Sequence, residues 1–101
     1  MKLFLDTSSS KQTIVKLGDN ELIKESTYQH SQVLIEMIQQ LLSDKNLVVT
    51  DLTQIEVFTG PGSFTGLRVG VAVANALGYS LGIPVNGKTI SSKSIVEPKY
   101  E

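Results

Sequence analysis

A chain of 101 residues has room for one domain and not two; its 41% of hydrophobic residues permits a core, though a domain this short buries only roughly 60–68% of its unfolded surface. The net charge of −1, with acids and bases interspersed, argues against tight nucleic-acid binding, which rests on clustered Lys and Arg. The absence of cysteine removes disulfides and thiolate metal sites, and neither the brief apolar start nor the segment 67–81, broken by Arg68 and Asn75, reads as a signal peptide or a membrane span.

Residues 2–6 form a nearly continuous apolar run, which predicts a central buried strand, and Thr7-Ser8-Ser9-Ser10 follows as a hydroxyl-rich turn. Residues 12–17 and 21–27 predict two further strands separated by the turn signal Gly18-Asp19-Asn20, giving an antiparallel meander. A helix is expected over 32–43, with Ser31 as its N-cap. Its apolar residues, Val33, Leu34, Ile35, Met37, Ile38, Leu41 and Leu42, cover an arc of about 200°, twice the ~100° stripe that one sheet face needs. The helix is therefore expected to touch something on a second side.

Thr50-Asp51-Leu52-Thr53 reads as a capped short turn, and 55–59 as a fourth strand. Gly60-Pro61-Gly62-Ser63-Phe64-Thr65-Gly66 then leads into a second helix, 66–81, whose only charge is Arg68, with Ser63 or Thr65 as cap. Gly66, Gly70, Ala74 and Gly78 recur every four residues in it as a ridge of small side chains. Each glycine costs about 0.5–1 kcal/mol of helix stability relative to alanine, so close packing is the better explanation. A fifth short strand is expected at 83–86, and 87–101 reads as a loosely structured polar tail. The order β-β-β-α-β-α-β makes this an α/β chain with a mixed sheet, the single-lobe pattern of the actin, hexokinase and Hsp70 (ASKHA, ribonuclease H-like) superfamily. The lobe is drawn over 1–87 and the tail over 88–101.

The run from Gly60 to Gly70, Gly-Pro-Gly-Ser-Phe-Thr-Gly-Leu-Arg-Val-Gly, closely resembles the signature of the TsaB (YeaZ) family. So do Leu5-Asp6-Thr7-Ser8, His30-Ser31, Asp51-Leu52 and Gly82-Ile83-Pro84-Val85. The resemblance runs from Met1 to about Gly87. It implies an actin-like fold without the active site of the paralogue TsaD. It implies pairing with a TsaD-type catalytic subunit through the two helices, homodimers formed by a similar surface, and a TsaE-type ATPase as a further partner. That assembly transfers threonylcarbamoyl to adenosine 37 of tRNAs reading ANN codons (t6A), in the cytoplasm, with TsaB as a platform. Two departures stand out. The family has a second lobe that this sequence does not reach, as a natural short form or as a fragment. It also continues Ser-Thr-Leu where this chain reads Lys88-Thr89-Ile90-Ser91.

The 60–66 loop, with Gly60, Gly62 and Ser63, can cradle a phosphate at a helix N-terminus. Its competing reading, preferred because no lysine stands in the segment, is a tight strand-to-helix turn. Asp6 and Thr7 stand where actin-fold enzymes hold a metal-bound nucleotide, against a capping turn after a strand. Gly82-Ile83-Pro84-Val85-Asn86-Gly87-Lys88-Thr89 matches the Walker A letters, but a helix precedes it where a strand is required, so the match is read as coincidence. His30, the only histidine, has no ligand partners in sequence and reads as a structural or polar contact, so no metal and no cofactor are expected. Arg68 reads either as an interface or anion contact or as a solvent-facing first-turn residue.

The expected function is an interaction subunit whose interface draws on Leu34, Met37, Ile38, Leu41, Gly66, Arg68, Gly70, Ala74 and Gly78, with Gly70→Glu and Met37→Glu abolishing pairing. Two rivals stay open. One is an actin-fold nucleotide-binding enzyme using Asp6, Thr7 and the 60–66 loop. The other is an orphan lobe that only homodimerises.

Overall fold

The computed structural model describes residues 1–9, 11–25 and 31–98. His30, the side chain of Ser31 and the last two residues of the third expected strand lie outside the described residues. The elements are β1 (Lys2–Asp6), β2 (Gln12–Leu17), β3 (Asn20–Glu25), α1 (Ser31–Asp44), a 3-10 turn (Val49–Asp51), β4 (Gln54–Val57) and α2 (Phe64–Leu81). The four strands form one sheet in the order β3-β2-β1-β4, antiparallel except for the parallel pair β1–β4.

Register decides which side chains meet. Leu3 pairs with Leu17 and Ile55, and Leu5 with Val15 and Val57, so alternate residues of three strands line one face. All six are buried, and each such side chain stabilises the fold by roughly 1.5–3 kcal/mol. The opposite face carries Phe4 with the exposed pairs Lys2–Glu56 and Lys16–Glu21, and the Lys16 ammonium stands over the Phe4 ring. Ile14 and the exposed Ile23 share this face, and surface pairs of this kind are worth at most about 1 kcal/mol each.

Both helices cover the apolar face. α1 packs on β2 and β3, α2 on β1 and β4, and the helices touch each other. The wide apolar arc of α1 is explained inside the chain. Leu34, Met37, Ile38, Leu41 and Leu42 are all buried, shared between the sheet and α2. The second side that the sequence demanded is supplied by α2, while Ile35 at the edge of the arc stays 40% exposed.

The fifth strand is shorter than expected. It is reduced to one parallel bridge, Val85 to Ile55, with Ile55 N–H donating to Pro84 O and Asn86 N–H to Ile55 O. Asn86 and Gly87 both have positive φ, 50° and 75°, and Val85 and Lys88 exchange backbone hydrogen bonds across them. That is a two-residue type I′ hairpin, the geometry that Asn-Gly favours. The expected loose tail does not hold for residues 87–96. Ile90 and Val96 are buried, and the Asn75 carboxamide of α2 bonds both the N–H and the C=O of Val96, at 3.0 and 2.8 Å.

Candidate functional site

β1 and β4 are parallel neighbours, so the turns that leave their carboxyl ends meet. This brings Asp6, Thr7 and Ser8 against the 60–66 loop. Asp6 Oδ1 accepts from Ser8 N–H at 2.9 Å and from the Ser8 hydroxyl at 2.6 Å. Ser63 N–H donates to Ser8 O, and a β-carbon on Gly62 would lie 2.6 Å from the Ser8 Cβ, so only glycine allows the two turns to approach this closely. Ser63 caps α2, its Oγ accepting from Gly66 N–H at 3.4 Å.

Thr7 is fully engaged. It is 1% exposed, its hydroxyl donates to Gly66 O, and it accepts from Gly70 N–H at 3.1 Å. Those two groups stand at i and i+4, partners of one another in a regular helix. The Thr7 hydroxyl thus bridges the first turns of α2, and a Cβ on Gly70 would collide with it. The structure therefore assembles the residues expected to contact phosphate (Asp6, Thr7, Gly60, Gly62 and Ser63), but Thr7 and Ser63 are tied to α2 and Asp6 to Ser8. Gly60 borders a shallow depression of about 430 Å³ shared with Phe4, Glu56, Phe58, Thr59 and Asn86. Among the described residues no group of three or more His, Cys, Asp or Glu can hold a metal.

The expected interface residues need correction. Leu34, Met37, Ile38, Leu41, Gly66, Gly70, Ala74 and Gly78 are buried in the chain's own interior. The ridge of small residues does admit a close neighbour, but that neighbour is internal: Thr7 at Gly70, and Val85 at Gly78, where a Cβ would lie 2.5 Å from Val85 Cγ2. Gly70→Glu and Met37→Glu would disrupt the fold before any pairing. Only Arg68 of the set is exposed; its guanidinium lies 5.5 Å from the centre of the Phe64 ring.

The outer face of α2 is where surface remains. Phe64, Arg68, Ala72, Ala76 and Tyr79 are exposed on it, with Phe64 at 54% and Tyr79 at 64%. Beside Tyr79, the returning chain leaves an apolar groove lined by Ala76, Ile90 and Ile95. No helix among the described residues is long and apolar enough to cross a membrane.

The family model described as "TsaD: tRNA N6-adenosine threonylcarbamoyltransferase" matches residues 24–88. The tRNA threonylcarbamoyladenosine biosynthesis protein TsaB of Bacillus subtilis is 39% identical over 88 residues, 83% of this chain and 38% of that protein. The TsaB of Escherichia coli is 34% identical over 59 residues, 58% of this chain and 26% of that protein. The solved structure of YeaZ from Pseudomonas aeruginosa superposes with a TM-score of 0.72 at 29% identity, covering 83% of this chain and 41% of that one. The chain belongs to the TsaB (YeaZ) family.

Its fold is the single actin-like, ASKHA lobe expected from the strand order. The match spans between about a quarter and two fifths of the length of these relatives. Within it, the TsaB-like run 60–70 acquires a physical role: Gly62 and Gly70 admit Ser8 and Thr7 of the turn after β1. The segment with Walker A letters is no phosphate loop here, since Gly82 is the left-handed C-cap of α2 and Asn86-Gly87 is a hairpin turn. Sequence reasoning missed Ser8, Asn75 and Asn86. A lone Asn in an apolar helix and an Asn-Gly pair were the available signals.

Proposed function

We propose that this chain is a non-catalytic partner subunit in tRNA threonylcarbamoyladenosine biosynthesis. It docks a TsaD-type catalytic subunit through the outer face of α2, and pairs with a second copy when that subunit is absent. The observation that carries this reading is the composition of that face. Over 18 residues α2 presents to solvent one charge, Arg68, among Phe64, Thr65, Ala72, Ala76, Tyr79 and Ser80. A helix side meant for water ordinarily carries alternating charges, and small residues flanked by aromatic anchors suit a helix-on-helix contact. Family membership supplies the pathway, since the relatives from B. subtilis and E. coli are named for it. The engagement of Thr7 and Asp6 within the fold supports a platform and not an enzyme.

Calorimetric titration of the full chain tests this, once with the TsaD-type subunit of the same organism and once with ATP and Mg²⁺. Saturable binding of the subunit and no heat from the nucleotide are expected. Low-micromolar nucleotide binding without subunit binding would overturn the proposal in favour of an actin-fold enzyme. A homodimer that ignores the subunit would leave only self-pairing.

A further inference from the structure

The sequence contains one Asn-Gly pair, Asn86-Gly87, the dipeptide in which nothing beyond a hydrogen atom shields the following backbone nitrogen. It sits in the run with Walker A letters, which the function above leaves unused. The Asn86 side chain replaces the strand residue that the chain does not supply. Its Oδ1 accepts from Val57 N–H at 2.8 Å and its Nδ2 donates to Val57 O at 3.0 Å, so one carboxamide closes the edge of β4 beyond the Val85 bridge. The residue is otherwise open to solvent, on the border of two surface depressions.

We propose that Asn86 is a deamidation site gated by the docking of residues 82–96. The Gly87 nitrogen, giving its proton to solvent, attacks the Asn86 Cγ, and the C–N bond of the carboxamide breaks. The nitrogen leaves as ammonia after taking up a proton from water, and a succinimide closes. Water then opens that ring, leaving aspartate or isoaspartate, with no oxidant or reductant involved. While docked, the carboxamide is tied to Val57 at both of its polar atoms and is not free to turn onto the Gly87 nitrogen. When the segment lifts, both bonds break together and the reaction proceeds as in an unfolded chain.

The product does not redock. A carboxylate has no N–H to donate, so Val57 O loses its partner and faces a negative oxygen. Isoaspartate also routes the main chain through an extra methylene, and the two-residue hairpin between Val85 and Lys88 no longer closes. Opening of this segment is thereby recorded covalently and the β4 edge stays uncovered. The clamp that controls opening is Asn75, whose two bonds to Val96 pin the far end of the segment to α2 without touching Asn86.

The test is peptide mass mapping of Asn86 in the full chain, incubated at one pH and temperature in native buffer and in guanidinium chloride. Deamidation at Asn86 is expected at least tenfold faster in denaturant. Asn75→Ala, shown folded by circular dichroism, is expected to raise the native rate severalfold. Val96→Ala serves the same purpose should Asn75→Ala not fold. Asn20 and Asn46, neither followed by glycine, serve as internal references. Equal native and denatured rates at Asn86, or a native rate that the loosened variant leaves unmoved, would overturn the gating.

Discussion

The two sides of α2 obey different rules. The inner side sets glycine among Leu67, Val71 and Val73 at the points where other parts of the same chain come closer than any larger side chain allows: the Thr7 hydroxyl lies against Gly70, and Val85 against Gly78. The outer side is equally poor in charge, yet nothing within the described residues covers Ala72 or most of Tyr79. Small residues on one helix thus have two meanings. Inside they measure how closely the fold has already packed; outside they mark where another helix has room to come.

Substitutions separate the two meanings. The largest stability effect is expected from Gly70→Ala. The new Cβ displaces the Thr7 hydroxyl and its two hydrogen bonds, at a net cost of about 3 kcal/mol after the helix-propensity gain of alanine. Urea melts measure it directly. Gly78→Ala meets a buried valine and two further neighbours, and is expected to cost about 2 kcal/mol in the same assay. Thr7→Ala is milder, about 1 kcal/mol, because Gly66 O and Gly70 N–H can then pair with each other. Combined with Gly70→Ala it should recover about 1 kcal/mol or more of the sum of the single effects, since the clashing atom is gone. Additive costs in that cycle would break the link between Thr7 and Gly70. Smallest is Ala72→Glu on the outer side, expected within about 0.5 kcal/mol of the parent in stability.

Much of the fold was legible in sequence because it rests on local periodicity. β1 and β2 fall on the expected residues and α1 within one residue at each end, since alternation and the 3.6-residue repeat survive in short windows. What periodicity could not say is whose surface an apolar face meets. The wide apolar arc of α1 announced a second contact, and α2 lies against that helix. Gly70 announced a close approach, and it proved to be Thr7, 63 residues away in sequence. Asn75 and Asn86 were invisible as clamps because their partners, Val96 and Val57, lie 21 and 29 residues distant with no pattern joining them. The meeting of the turn after β1 with the 60–66 loop was legible, because parallel strands must bring their carboxyl-end turns together. The saturation of Thr7 within that cluster was not, since a hydroxyl bonded to a helix backbone leaves no mark in the sequence.

Whether the outer side of α2 is a docking face comes down to one titration: the full chain and its Ala72→Glu variant against the TsaD-type subunit, with the melting temperature of each recorded. Affinity at least tenfold weaker for the variant, at an unchanged melting temperature, is the expected result. Equal affinity for the two proteins would contradict it and move the interface elsewhere.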